Sequence, residues 1–139
     1  MRIVLDTNVL LTSLLPTSPN YWLLNAYFKK EFSICISPEI LFEYEELLNR
    51  WYGVSLTEEI LQLFIIDKEN LLIEDYKRWN LIATDPDDNK FVDCAIAGKA
   101  KFIVSEDRHF QILKTISWPK VEVLTIEEFK KELEAAGKL

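Results

Sequence analysis

The chain of 139 residues is poor in the residue types on which several kinds of chemistry depend. Its only histidine is His109, so a His-rich metal centre is excluded and any Ser-His-Asp or Cys-His apparatus would rest on that one imidazole. Cys35 and Cys94 lie in apolar stretches without CxxC spacing, which predicts free, buried thiols in a reducing compartment, not a disulfide or a zinc site. With 3 Gly and 5 Pro there is no low-complexity or linker segment. No uninterrupted apolar run approaches the roughly 18 residues of a membrane span. A carboxylate as early as Asp6 reads against a signal peptide, and a cytoplasmic protein is expected. Positive charge is also short: 16 Lys+Arg face 23 Asp+Glu, a net charge of −7, which speaks against a general basic surface for nucleic acid or anionic membrane.

What is present is enough apolar residue, 49% of the chain, to fill the core of one domain spanning 1–139. Four short runs read as strands: Ile3-Val4-Leu5, Phe32 to Ile36, Phe102-Ile103-Val104 and Val121 to Leu124. Each is nearly continuously apolar, as suits strands buried on both faces of a parallel sheet. Ser37-Pro38 predicts an N-cap and first helical residue, with Ile40, Leu41, Tyr44, Leu47, Leu48 and Trp51 on one buried stripe of a helix running to about Arg50. A second helix is expected over Leu56 to Ile66, opened by Thr57-Glu58-Glu59. A third follows the turn Asp85-Pro86-Asp87-Asp88 and ends near Gly98. Thr125-x-x-Glu128 has capping-box spacing for a last helix. Strands alternating with helices predict a three-layer α/β/α sandwich around a central parallel sheet, in which ligands bind at the carboxyl ends of the strands.

Acidic residues stand at those ends. Asp6 directly follows the first strand, and Asp107 follows the third within three residues. Either alone reads as a helix cap, but both fall on one edge of the sheet. On the helix after Asp87, Phe91, Val92, Ala95 and Ile96 form an apolar face. Asp88 falls near the middle of that face, whereas Asp93 lies about 130° away, toward solvent or a polar border. Asp88 as a cap and Asp88 as an inward-facing acid are equally balanced, and Asp85 and Asp87 read as turn and cap residues. On the Ser37-Pro38 helix Glu46 points outward, and periodicity leaves Glu43 and Glu45 tied on opposite borders of the stripe. Converging carboxylates require a counter-charge. Thr7 to Tyr27 and Ser33 to Asn49 hold no basic residue, which points to a hard divalent cation, Mg²⁺ or Mn²⁺, bound by oxygen.

Four segments carry a family resemblance: Ile3-Val4-Leu5-Asp6-Thr7-Asn8-Val9-Leu10, Ser37-Pro38-Glu39-Ile40-Leu41-Phe42-Glu43, Asp85-Pro86-Asp87-Asp88-Asn89-Lys90-Phe91, and Ile103-Val104-Ser105-Glu106-Asp107. In this order and over essentially the whole chain, the sequence resembles the PIN-domain ribonucleases, in particular the prokaryotic VapC-like toxin components of toxin–antitoxin pairs. The resemblance places the acidic constellation on Asp6, Glu43, Asp88 and Asp107 as catalytic and metal-binding residues, with Asp93 as the reserve third acid. Asn8 and Ser105 become polar neighbours that orient an acid or a water. The activity implied is hydrolysis of RNA phosphodiesters with one or two Mg²⁺ or Mn²⁺ ions, no protein nucleophile, and 5′-phosphate and 3′-hydroxyl products. The partners implied are an RNA substrate and a protein antitoxin.

The remaining features carry less. His109 reads as a polar loop residue. Tyr21, Trp22, Trp51, Tyr52, Trp79 and Trp118 are better core or interface residues than base-stacking ones. Leu56 to Ile66 is apolar around most of its circumference, so it lies deep or covers a second copy in a homodimer. Lys29-Lys30, Lys77-Arg78, Lys99, Lys101 and Arg108 are candidate phosphate contacts that read singly as solvated surface. Two alternatives come from other classes. One is a PIN-like module that binds RNA or protein without catalysis. The other is a phosphatase of the haloacid-dehalogenase type, whose second aspartate is replaced here by Asn8.

Overall fold

A computed structural model describes residues 1–139. Five strands form one sheet in which every pairing is parallel: β1 (Arg2–Leu5), β2 (Ser33–Ile36), β3 (Leu71–Leu72), β4 (Phe102–Val104) and β5 (Val123–Leu124), in the order β3-β2-β1-β4-β5. The helices are α1 (Thr7–Thr12), α2 (Tyr21–Phe28), α3 (Pro38–Tyr52), α4 (Val54–Ile66), α5 (Asn89–Ala97) and α6 (Ile126–Ala135), with 3-10 turns at Pro86–Asp88 and Arg108–Thr115. They cover the sheet in a three-layer α/β/α sandwich. Ile3, Val4, Ile34, Cys35, Ile36, Ile103 and Val104 are completely buried or nearly so, the expected state of strands covered on both faces.

The strand order positions the site. The chain moves outward from β1 to β2 and β3, then returns to lay β4 on the other side of β1, with Leu5 opposite Val104. That reversal opens a crevice at the carboxyl ends of β1 and β4, where Asp6 and the segment Ser105–Asp107 emerge side by side. The Asp6 N–H donates to the Val104 carbonyl at 3.0 Å, extending the ladder by one residue.

Local signals set most boundaries. The Ser37 hydroxyl accepts from the Ile40 N–H at 3.3 Å with Pro38 at the first helical position, and α6 carries the full reciprocal capping box of Thr125 and Glu128. Both cysteines are free and buried. Other expectations need correction. Strand β3 has only two residues and no distinctive pattern. Helix α4 starts at Val54 behind Gly53, because the Thr57 hydroxyl donates to the Gly53 carbonyl inside the helix instead of capping it. Trp51, assigned to the buried stripe of α3, is 58% exposed, because the core ends at Leu48. Helix α4 buries Thr57, Ile60, Leu61 and Phe64 but leaves Leu63, Ile65 and Ile66 exposed, so it is neither wholly deep nor wholly superficial. No helix is long and apolar enough to cross a membrane.

Candidate active site

Asp6 ends β1 and is 6% exposed. Its Oδ2 accepts from the Ser105 hydroxyl at 2.7 Å, and the Ser105 Oγ accepts the Asp107 N–H at 2.9 Å. One small hydroxyl therefore ties the residues after β1 and β4 together; the family resemblance had put Ser105 forward as a polar neighbour of the acids. Burial raises the Asp6 pKa above the ordinary carboxyl range; the Ser105 hydrogen bond lowers it, and the nearby Glu43 and Asp107 charges raise it again.

Glu43 comes from α3, whose buried residues Ile40, Tyr44 and Leu48 dock the helix over the sheet. The Tyr44 hydroxyl donates to the Leu5 carbonyl at 2.6 Å, pinning α3 to the end of β1 and bringing Glu43 beside Asp6. Glu43 Oε2 accepts from the Thr7 hydroxyl, and Oε1 pairs with Lys90 Nζ at 2.8 Å. Lys90 also donates to the Asp87 carbonyl at 2.9 Å. A counter-charge is thus present at one corner, supplied by a helix remote from both segments scanned for bases. Glu45 and Glu46 are exposed; Glu46 pairs with Arg50 on the solvent side.

Asp88 closes the Pro86–Asp88 turn and is 9% exposed. Its pKa is raised to about 6, first by burial and then by Asp85, Asp107 and Asp6, against a lowering influence of His109. Its Oδ2 is buried without a hydrogen-bond partner. Asp107 is half-buried and its Oδ1 accepts from the His109 N–H at 2.9 Å. The structure therefore brings Asp6, Glu43, Asp88 and Asp107 to one crevice from four separate elements.

Asp93 faces elsewhere. It was expected at a polar border or in solvent, yet it is 2% exposed, because the segment 73–85 folds over it and the Trp79 N–H donates to its Oδ1 at 3.0 Å. A helical wheel sees only the helix and not the loop that covers it. Asn89 does a similar job, clasping Ile82 through hydrogen bonds of 2.9 and 3.0 Å to both its backbone groups. Asn8 is exposed on the first turn of α1 and makes no hydrogen bond to these acids.

Two participants, Thr7 and Lys90, were not singled out by the sequence, and a third, His109, was read there only as a polar loop residue. Thr7 holds Glu43, Lys90 neutralises it, and His109 turns its ring into the crevice. The His109 Nδ1 lies 3.4 Å from Asp85 Oδ2, 3.4 Å from Asp88 Oδ2 and 3.3 Å from Asp107 Oδ1. The signal for Lys90 lay in its motif, Asp-Asp-Asn-Lys, which puts a cation one helical turn past a carboxylate turn. For Thr7 and His109 the only clue was adjacency to Asp6 and Asp107.

The residues suit a divalent cation. Asp6 is buried with its pKa raised and has no basic side chain beside it, while Asp88 offers an orphaned buried oxygen. Such a set is uncompensated in the protein alone and is relieved by a positive ion.

A model of the PIN domain matches residues 2–109. The chain belongs to the PIN-domain family. That assignment displaces the haloacid-dehalogenase alternative. Among solved structures, the PIN domain is similar to VapBC2 from Rickettsia felis bound to a DNA fragment from their promoter. The TM-score is 0.60 at 17% identity, over 90% of this chain and 98% of that one, a likeness of fold. No protein of curated function matches the chain.

Proposed function

We propose that this PIN domain is a Mg²⁺- or Mn²⁺-dependent endoribonuclease and the toxin component of a toxin–antitoxin pair. The observation that carries the reading is the convergence of Asp6, Glu43, Asp88 and Asp107 on the β1/β4 crevice without enough basic charge to balance them. In this reading Asp6, Asp88 and Asp107 hold the metal, directly or through water, and Glu43 completes the set. A divalent ion there supplies an activated water and charge stabilisation for the phosphodiester.

The chain's own residues set the stage. Ser105 fixes the Asp6 carboxylate through Oδ2. Thr7 and Lys90 hold Glu43 in one rotamer. Lys90 also carries the only ammonium in contact with the acidic constellation, suited to drawing in an RNA phosphate once the metal offsets the acids. Asp88, whose pKa is raised to about 6, is the group placed to take a proton.

The partners in this reading are an RNA substrate, a protein antitoxin and a second copy of the chain, and the compartment is the cytoplasm. The similarity to VapBC2 and the resemblance to VapC-like toxins support the antitoxin. The exposed apolar residues of α4 support a covering partner.

The test is cleavage of a single-stranded RNA by the purified chain with Mn²⁺ or Mg²⁺, and with EDTA as control. Asp6→Asn is expected to lower the rate at least about 100-fold while the chain stays folded. Absence of metal-dependent cleavage, with Asp6→Asn handling RNA as the parent does, would favour the non-catalytic binding module instead.

A further inference from the structure

One cluster at the crevice is unexplained by an oxygen-only metal site. Asp85, Asp88 and His109 present three ligand atoms that all lie within 4.8 Å of one another. The Asp85 side chain uses Oδ1 to accept the Asp87 N–H at 3.3 Å, which leaves Oδ2 turned toward the imidazole. Asp88 is more than nine-tenths buried and its Oδ2 points at the same imidazole nitrogen, with no hydrogen-bond partner. The His109 Nδ1 is itself buried and without a hydrogen-bond partner, although carboxylate oxygens surround it at 3.3 to 3.4 Å.

That combination is unusual for a hydrogen-bonded histidine. A charged imidazole among carboxylates forms short, aligned bonds of about 2.7 to 2.9 Å. Here the atoms are close but misaligned, and two buried polar atoms remain orphaned, each a cost in the absence of a further partner. Two ligand atoms on one tetrahedral ion, with bonds of about 2.0 to 2.1 Å, stand about 3.3 Å apart. The separations of Nδ1 from the two carboxylate oxygens are those of ligand pairs on one ion, and the orphaned atoms are Nδ1 and the Asp88 Oδ2.

We propose that Asp85, Asp88 and His109 form a second divalent-ion site that takes a borderline transition ion of the Zn²⁺ class in preference to Mg²⁺. An imidazole nitrogen beside two carboxylates favours such ions, whereas Mg²⁺ selects oxygen alone and keeps its waters. Water completes the coordination on the open side. The site goes beyond the nuclease reading, rests on it only in sharing Asp88, and adds His109 and Asp85 to the crevice.

Because the chain holds a single histidine, one imidazole reports on the site without assignment ambiguity. The experiment follows the ¹⁵N resonances of His109 in the full chain during titration with Zn²⁺ and, separately, Mg²⁺. One equivalent of Zn²⁺ is expected to move Nδ1 to a metal-bound position, and Mg²⁺ in excess is expected not to reproduce the shift. Asp85→Asn keeps an oxygen for the Asp87 N–H, so the turn survives, and it should weaken Zn²⁺ binding by about tenfold or more. His109→Gln, checked for folding by circular dichroism, should weaken it at least as much in calorimetry. An unmoved Nδ1, an equal shift with Mg²⁺, or unchanged Zn²⁺ affinity in Asp85→Asn would each overturn the proposal. RNA cleavage in Mg²⁺ is measured on the same preparation. Its absence sinks the nuclease reading without touching the Zn²⁺ result, and the converse holds.

Discussion

Asp88 gives the residue scale its clearest test. Its pKa in the folded chain is raised to about 6 from an ordinary 3.8, so between those values the folded state binds the proton more tightly than the unfolded state does. Stability from this group is therefore present below about pH 4 and lost as pH rises through about 6. In EDTA, Asp88→Asn is expected to stabilise the chain at pH 7 by about 1–2 kcal/mol, less than the whole shift implies because water screens the crevice. At pH 4 it should do almost nothing. Urea melts at the two pH values check both sign and window. Lys90 supplies a second test. Its side chain is 12% exposed and that of its partner Glu43 29%, so Lys90→Met strips a half-buried carboxylate of its cation. A loss of about 1 kcal/mol is expected. A double-mutant cycle with Glu43→Gln should show the two changes to be strongly non-additive.

At the scale of elements, α5 has to lie close against β2. A Cβ built on Gly98, just past the end of α5, would stand 2.5 Å from Cys35 Sγ and 3.2 Å from the Cys94 carbonyl. Gly98→Ala is therefore expected to cost about 1–3 kcal/mol, and Cys35→Ala in the same chain should recover part of it by removing the sulfur. Neither effect is visible in the sequence, where Gly98 reads only as a helix stop. The N-terminal end of the same helix makes the complementary point. The run Asp85-Pro86-Asp87-Asp88 was legible as a turn, but the wheel drawn through Asp88 assumed one continuous helix. The chain makes a 3-10 turn there and becomes α-helical at Asn89. Asp88 is buried all the same, with the His109 Nδ1 3.4 Å from its Oδ2.

For the whole molecule, the net charge of −7 bears on the proposed encounter with RNA. Two divalent ions would bring it to about −3, still too negative for tight nonspecific association. Affinity for a cleavage-resistant single-stranded RNA is therefore expected to be weak in EDTA and to rise at least about tenfold with Mn²⁺, as read by fluorescence anisotropy. A second asymmetry concerns the apolar surface. A groove of about 660 Å³ lies between α3 and α4, with Leu41, Phe42, Leu61, Ile65 and Ile66 among its lining residues. Glu43 is not among the residues that line the groove.

The sequence by itself determined the parallel α/β architecture, four of five strands, the caps of α3 and α6, and which acids stand at strand ends. These are local matters: strand runs, cap residues and Asp after a strand are read from neighbours along the chain. The resemblance singled out Glu43 over Glu45, a choice periodicity left open, and the structure places Glu43 beside Asp6 with Glu45 exposed. Tertiary structure alone decided the rest. It put Lys90 against Glu43, covered Asp93 with the segment 73–85, and turned the one histidine into the crevice between Asp85, Asp88 and Asp107. Each is a contact between elements remote in sequence, set by how helices pack on the sheet, and no pattern along the chain encodes which side chain will supply a charge to another.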